Sequence, residues 1–318
     1  MNILITGNEG YVSSLLVPML VQHGYEAIQL VAETNKAHLL EKDAIPHVRT
    51  IAKDILQLTD RNLRGIETVI HIPERLQKQS NQSQLIPTHE CHYRTSIHLA
   101  KTAKVAGVRR FIYLSSCSVY GFDSDDFVTE ETPVNPTTEY AIYQSAIERE
   151  LQAIANDDFS PTLLRSTALF GASPHMRYDV MLNNLAGLAW TSKEIKLSNN
   201  GSSWCSLVHV LDMCQAILCS LETSRDIVHN QVFNVGDTNQ NYQVKEVAEI
   251  VAEVFKDCKL SIDRTNSYSS KYRVSCEKIN KLLPKFKCNW DARRGAEQLF
   301  SFLSLIEPQK NSRQPKLF

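Results

Sequence analysis

The stretch from Arg110 to Gln144 constrains this chain most. It opens with an apolar run, Phe111-Ile112-Tyr113-Leu114, of the length and composition of a buried strand. The run ends in Ser115-Ser116-Cys117-Ser118-Val119-Tyr120-Gly121, a hydroxyl-rich turn. A loop carrying Pro133 and Pro136 follows, and then Tyr140-Ala141-Ile142-Tyr143-Gln144-Ser145-Ala146-Ile147-Glu148, an amphipathic helix pattern. A serine at a strand's carboxyl end and a tyrosine early in the next helix can place two hydroxyls on one reacting carbon. Open α/β sheets bind their ligands at that end of their strands.

The amino terminus supports the same architecture. Asn2–Thr6 reads as a strand, Gly7-Asn8-Glu9-Gly10-Tyr11-Val12-Ser13 as a turn, and a helical pattern runs on to about His23 before Gly24. Strand, glycine turn and helix form a dinucleotide-binding unit with phosphate at the helix N-terminus. Gly7 permits the tight turn and Gly10 lets the backbone approach a pyrophosphate, so Gly7, Gly10, Tyr11 and Val12 are the expected cofactor contacts. Further strands are read at 26–31, 48–55, 68–72, 162–167 and 231–236, with helices at 92–106, 138–155, 180 onward, 211–222, 244–255 and 291–303. The expected fold is α/β: a Rossmann-type, doubly wound parallel sheet with a smaller C-terminal substrate-binding region. Residues 1–166, completed by about 207–236, form the first domain; 167–206 and 237–306 form the second, and 307–318 a flexible tail.

The 318 residues are 43% hydrophobic and 22% charged, and the net charge of −1 gives no footprint for nucleic acid or an anionic membrane. No apolar run reaches membrane-spanning length. The chain enters a strand pattern at once, which reads as a cytoplasmic protein. Its eight cysteines are scattered without metal-ligand spacing, so free thiols and no metal are expected.

The Ser116–Tyr120–Gly121 turn and the Tyr140 helix closely resemble the extended short-chain dehydrogenase/reductase family, which includes nucleotide-sugar epimerases and dehydratases. The resemblance covers about residues 1–304. It implies that Ser116 assists catalysis and that Tyr140 is the catalytic tyrosine of Tyr-x-x-x-Lys. The lysine position holds Gln144. The family's Gly-x-x-Gly-x-x-Gly has Ser13 as its third member, where a side chain is expected to crowd the helix against the strand. Asp54 and Ile55 match the pair beside the adenine ring. The acid that holds an NAD ribose is replaced by Val31, with Glu33 nearest. Lys36 and His38 either face an NADP 2′-phosphate or are solvated, so NAD and NADP both stay open. His92 stands where relatives carry Asn, and is either catalytic or an ordinary helix-start residue. Asn183 matches the diphosphate-binding helix, and Arg273 a late arginine that reaches nucleotide phosphate. Gly201–Asp212 resembles G-x-x-W-R-x-x-V-H-V-x-D, with Cys205 for the diphosphate-clamping arginine and with His209 and Asp212 read as structural. Relatives dimerise through two helices matching 92–106 and 138–155. The second carries Ile142, Ala146, Ile147, Leu151 and Ile154, more than one core-facing stripe needs, so a homodimer, or a heterodimer with an active relative, is expected.

The departures bear on function. A cation beside a tyrosine lowers its pKa from near 10 by about 1–3 units, and each unit is tenfold in tyrosinate. Gln144 can bond a ribose but supplies no such field. Cys117 and Cys205 either fill space or act as nucleophiles. Two readings follow. One is an NAD(P)-dependent epimerase, dehydratase or reductase acting on a nucleotide sugar or related intermediate, with a degenerate Tyr-x-x-x-Gln site and weakened cofactor binding. The other is a non-redox binding or regulatory subunit that keeps the fold.

Overall fold

The computed structural model describes residues 1–7, 10–31, 48–73, 88–121, 126–197, 199–263 and 272–306. In chain order its main elements are β1 (Asn2–Ile5), α1 (Ser13–Gln22), β2 (Glu26–Val31), β3 (Val48–Ala52), β4 (Thr68–His71), α2 (Thr88–Val105), β5 (Arg110–Ser116), β6 (Phe127–Val128), α3 (Glu139–Ala153), β7 (Ser160–Ser166) and β8 (Ala168–Phe170). There follow α4 (Met181–Thr191), β9 (Glu194–Leu197), β10 (Trp204–His209), α5 (Val210–Glu222), α6 (Arg225–Val228), β11 (Gln231–Val235), β12 (Asn241–Gln243), α7 (Val244–Val254), β13 (Lys259–Ile262), β14 (Arg273–Val274), α8 (Glu277–Leu282) and α9 (Ala292–Ile306).

The central sheet has the order β3-β2-β1-β4-β5-β7-β11. β1 pairs in parallel with β2 and β4, β2 with β3, and β4 with β5. The order reverses between β1 and β4, and that switch point is where doubly wound sheets bind ligands. Ile3, Leu4 and Ile5 are fully buried because helices cover both faces of such a sheet. Leu4, Val69, Phe111 and Tyr113 pack with Leu99, Ala100 and Ala103 of α2 and Ile147 and Leu151 of α3.

The chain divides into two compact units. The first holds Met1–Gly121, Pro133–Arg165 and Ala216–Phe233; the second holds Phe122–Thr132, Ser166–Gln215 and Asn234 onward. By this division Phe122–Thr132 and Asn234–Gly236 fall in the second unit, and its Ser166–Gln215 stretch runs past 206 into α5. The expected tail lies outside the described residues. In the second unit the sheet β12-β10-β8 and the pair β9–β13 are packed by α4, α7 and α9 around Phe170, Leu207, Val251 and Leu299. Among the described residues, no helix is long and apolar enough to cross a membrane.

Two expectations about helices need correction. α2 begins at Thr88, so His92 lies in its second turn, not at its start. The first turn is polar, and hydrophobic periodicity cannot detect it. On α3, Ile147 and Leu151 enter the unit's own core and Ile154 packs against it, while Ile142 is 52% exposed. Most of the apolar excess is thus absorbed internally.

α3 is tied to the sheet by charge. The Arg165 guanidinium donates to Glu148 from Nε at 3.0 and 3.2 Å and from NH2 at 2.7 Å, and from NH1 to the Tyr120 hydroxyl at 2.8 Å. Ser115 donates to the same carboxylate at 2.5 Å. Burial alone would lower the Arg165 pKa, but its bonds to Glu148 and the opposite charge outweigh that and raise it. Removing one partner leaves a buried uncompensated charge. Arg165→Met should therefore cost about 3–5 kcal/mol in urea unfolding, whereas Arg177→Met, at an exposed pair with Asp179, should cost at most about 1 kcal/mol.

Candidate active site

The glycine turn is closed by its own hydrogen bonds. Gly7 has φ +77°, the left-handed region a glycine tolerates. The Gly10 N–H donates to the Gly7 carbonyl at 3.1 Å and to Ser13 Oγ at 3.1 Å. Ser13 is fully buried and its hydroxyl donates back to the Gly7 carbonyl. Ser13 is therefore bonded within the turn. Tyr11 and Val12 are buried at the mouth of α1. Gly7 and Gly10 stand between β1 and α1, at the β1/β4 switch where doubly wound sheets bind their ligands. Asp54 caps a short helical turn, accepting from Leu56 N at 2.8 Å, and Ile55 packs against the core. The side chain of Val31, and Glu33, Lys36 and His38, lie outside the described residues.

At the other end of the site, Ser116 terminates β5 and its Oγ accepts from Ser118 N at 3.2 Å. Tyr140 sits in the first turn of α3, 39% exposed, with its ring against that of His89 at 5.7 Å. Tyr140 and Gln144 lie with His89, His92, Tyr143 and Ile147 around a surface dent that leaves no room for a ligand in this conformation. Cys117 is buried, with its thiol on the Arg165 carbonyl at 3.3 Å.

Gln144 is only 3% exposed, and its amide oxygen accepts from the Tyr113 hydroxyl. Ser96 lies 2.8 Å from His71 Nε2, and His71 Nδ1 lies 2.6 Å from Thr6 Oγ1. Thr6, His71 and Ser96 thus form one buried polar cluster, and Tyr113 with Gln144 a second. Burial pushes the Tyr113 phenol well above its ordinary value.

In the second unit, Asn183 is fully buried. Its amide oxygen accepts from Gly171 N at 2.9 Å, and its NH2 donates to the Arg177 carbonyl at 2.9 Å. That side chain is engaged in holding the exit of β8. The Cys205 thiol faces the Tyr242 carbonyl at 3.3 Å, and burial pushes it up to about 12, which removes it as a thiolate. Arg273 lies over the rings of Phe127 at 4.5 Å and Trp204 at 5.2 Å. His209 stacks on Trp290 at 4.2 Å, and Asp212 accepts from Asn289 N and Trp290 N at 3.0 and 3.2 Å, in keeping with structural roles.

Sequence reasoning missed His71, His89, Ser96, Tyr113 and Glu148. His71 and Tyr113 sit inside apolar strand patterns, which hide polar roles. Only the four-residue spacing of Tyr140, Gln144 and Glu148 on α3 pointed to a shared face.

A parallel sheet with a glycine turn after β1, and serine and tyrosine hydroxyls after β5, has the form of an extended short-chain dehydrogenase/reductase. A model of the NAD dependent epimerase/dehydratase family matches residues 3–236, and the chain belongs to that family. It is 24% identical to UDP-glucose 4-epimerase of Bacillus subtilis over 338 residues, 94% of each chain. It is 23% identical to human dTDP-D-glucose 4,6-dehydratase over 308 residues, covering 91% of this chain and 86% of the relative. In fold it is similar to UDP-glucuronic acid 4-epimerase from Bacillus cereus, solved with UDP-glucuronic acid and NAD. The TM-score is 0.80 at 19% identity, covering 96% of this chain and all of that one.

Buried His71 has a pH signature. Burial, and then the charge of His92, hold the His71 imidazole down at about 3, against 6.5 for an ordinary histidine. The unfolded chain takes up a proton that folded His71 refuses. This contribution to stability is full above about pH 6.5 and is lost as pH falls toward 3. His209, held at about 4, adds a slope of the same sign, and Asp212, raised to about 6, opposes it. His71→Gln should therefore flatten the fall in urea-unfolding free energy between about pH 6.5 and pH 4 by on the order of 2–3 kcal/mol.

Proposed function

We propose that the protein binds NAD and a nucleotide sugar and acts on that sugar as an epimerase, dehydratase or reductase of attenuated redox power. The observation that carries this reading is Ser116 at the end of β5 and Tyr140 in the first turn of α3, in a unit where the Gly10 N–H bonds the Gly7 carbonyl between β1 and α1. Similarity to UDP-glucose 4-epimerases and dTDP-glucose dehydratases over most of the chain supports the substrate class. Gly7, Gly10, Tyr11 and Val12 would hold the diphosphate, Asp54 and Ile55 the adenine side, and Gln144 the nicotinamide ribose. When bound, the dinucleotide supplies hydride exchange. Ser116 polarises the sugar oxygen and Tyr140 exchanges its proton. Arg273, held between two aromatic rings, is the remaining candidate for the sugar diphosphate, since Cys205 cannot clamp it.

The alternative, a non-redox binding subunit, is favoured by the burial of Gln144 against Tyr113. Pairing through α2 and α3 stands as a further part of the proposal. NAD should raise the melting temperature at millimolar concentration, and NADP less. An absence of both shifts would overturn the cofactor assignment.

The chain also sets how redox power is restored. A lysine at 144 has no acceptor for the buried Tyr113 hydroxyl, so Gln144→Lys alone should cost about 1–3 kcal/mol in stability. Adding Tyr113→Phe removes the stranded donor. The double variant should recover that loss and transfer hydride faster than wild type, read by nicotinamide absorbance with Tyr140→Phe as blank. Rapid wild-type turnover at neutral pH would show the lysine to be dispensable.

A further inference from the structure

The neighbours of Ser116 anchor its turn. On one side Ser115 donates to Glu148 Oε1 at 2.5 Å. On the other the Cys117 thiol faces the Arg165 carbonyl at 3.3 Å, and the Tyr120 hydroxyl accepts from Arg165 NH1 at 2.8 Å. The same guanidinium reaches Glu148 of α3 from Nε at 3.0 and 3.2 Å and from NH2 at 2.7 Å. Residues on both sides of Ser116 therefore end on one ion pair, and the carboxylate of that pair belongs to the helix that carries Tyr140. Ser115, Cys117, Tyr120, Glu148 and Arg165 are each at most 6% exposed, so solvent does not compete for these bonds.

We propose that Arg165 is a positioning residue that sets the spacing of the Ser116 and Tyr140 hydroxyls. The proposal rests on the reading above, in which both hydroxyls act on the sugar. A guanidinium is planar, and its five N–H groups point in fixed directions. The angle between the edge that grips Glu148 and the N–H that grips Tyr120 is set by covalent bonds, and with it the angle between helix and turn. A lysine could neutralise Glu148 but could not span both partners. The pair with Glu148 seats α3 on the sheet; the NH1 bond to Tyr120 ties that seating to the serine's turn. Glu148 lies two turns of α3 beyond Tyr140, about 12 Å along the axis, so a small tilt at the pair displaces the phenol. A misplacement of about 1 Å at reacting groups costs on the order of 100-fold in rate.

The test uses the full chain labelled with tyrosine ¹³C-enriched at Cζ, the Tyr140 signal being assigned by its loss in Tyr140→Phe. Arg165→Lys keeps the charge and drops the fork. Tyr120→Phe keeps the ion pair and drops only the NH1 bond. Phe159→Leu, a core change against Phe111 and away from the turn, serves as the comparison for lost stability. The Tyr140 signal should shift in Arg165→Lys and in Tyr120→Phe, and hold its place in Phe159→Leu. With NAD and UDP-glucose as the probe, the first two variants should lose about 10- to 100-fold in kcat and change KM by less than about threefold. A Tyr140 signal unmoved in both, with loss of stability alone, would reduce Arg165 to a core support and overturn the proposal. An equal shift in Phe159→Leu, or an unchanged kcat in both variants of an active wild type, would do the same. Should Arg165→Lys not fold, Tyr120→Phe decides by itself. A wild type that leaves UDP-glucose unconverted counts against the substrate reading above, and the Tyr140 signal then decides on Arg165 alone.

Discussion

Two polar side chains of α3, Gln144 and Glu148, are buried one helical turn apart, and β5 satisfies both. Tyr113 bonds the first and Ser115 the second. Residues two apart on a strand are separated by about 6.6 Å, and residues four apart on a helix by about 6.0 Å, so the spacings are commensurate. Tyr140 stands one turn before Gln144 on the same helix. Its position over the sheet depends on these buried bonds and on Arg165, which completes the valences of Glu148. Apolar packing alone would hold α3 down but would not fix its rotation.

The departures from the family pattern are accommodated, not left as defects. Ser13 finds both a donor and an acceptor inside the glycine turn. Gln144 accepts from Tyr113, and Cys205 faces the Tyr242 carbonyl. Each of these side chains has a partner within the fold. A buried polar group without one would cost about 1–3 kcal/mol, and three such costs would consume much of a domain's stability.

How far the sequence was legible follows from which forces leave a local trace. β2 at Glu26–Val31 and the parallel order were readable, because continuous apolar runs between helical patterns admit few topologies. The Ser116 and Tyr140 positions were readable from a local motif. The partners of Gln144 were not, since Tyr113 looks like one more apolar residue of a strand, and its hydroxyl matters only once α3 lies across it. Glu148 and Arg165 lie in different elements, and nothing in either segment announces a buried ion pair. Asn183 was read toward a diphosphate, while its amide is engaged by the backbone at Gly171 and Arg177. Local pattern carries the elements; long-range polar pairing carries the site.

The interleaving of the two units governs how the gene can be cut. The first unit takes three separate stretches of chain, and Phe122–Thr132 leaves it for the second unit before Pro133 returns. β6 within that excursion pairs with β14, nearly 150 residues later in the chain. No single truncation point yields either unit whole. A fragment ending at Gly121 would lack α3 and β7, and one beginning at Ser166 would lack the strand that β14 requires. A chimaera with a relative that exchanges either unit whole therefore has to move several blocks of chain at once.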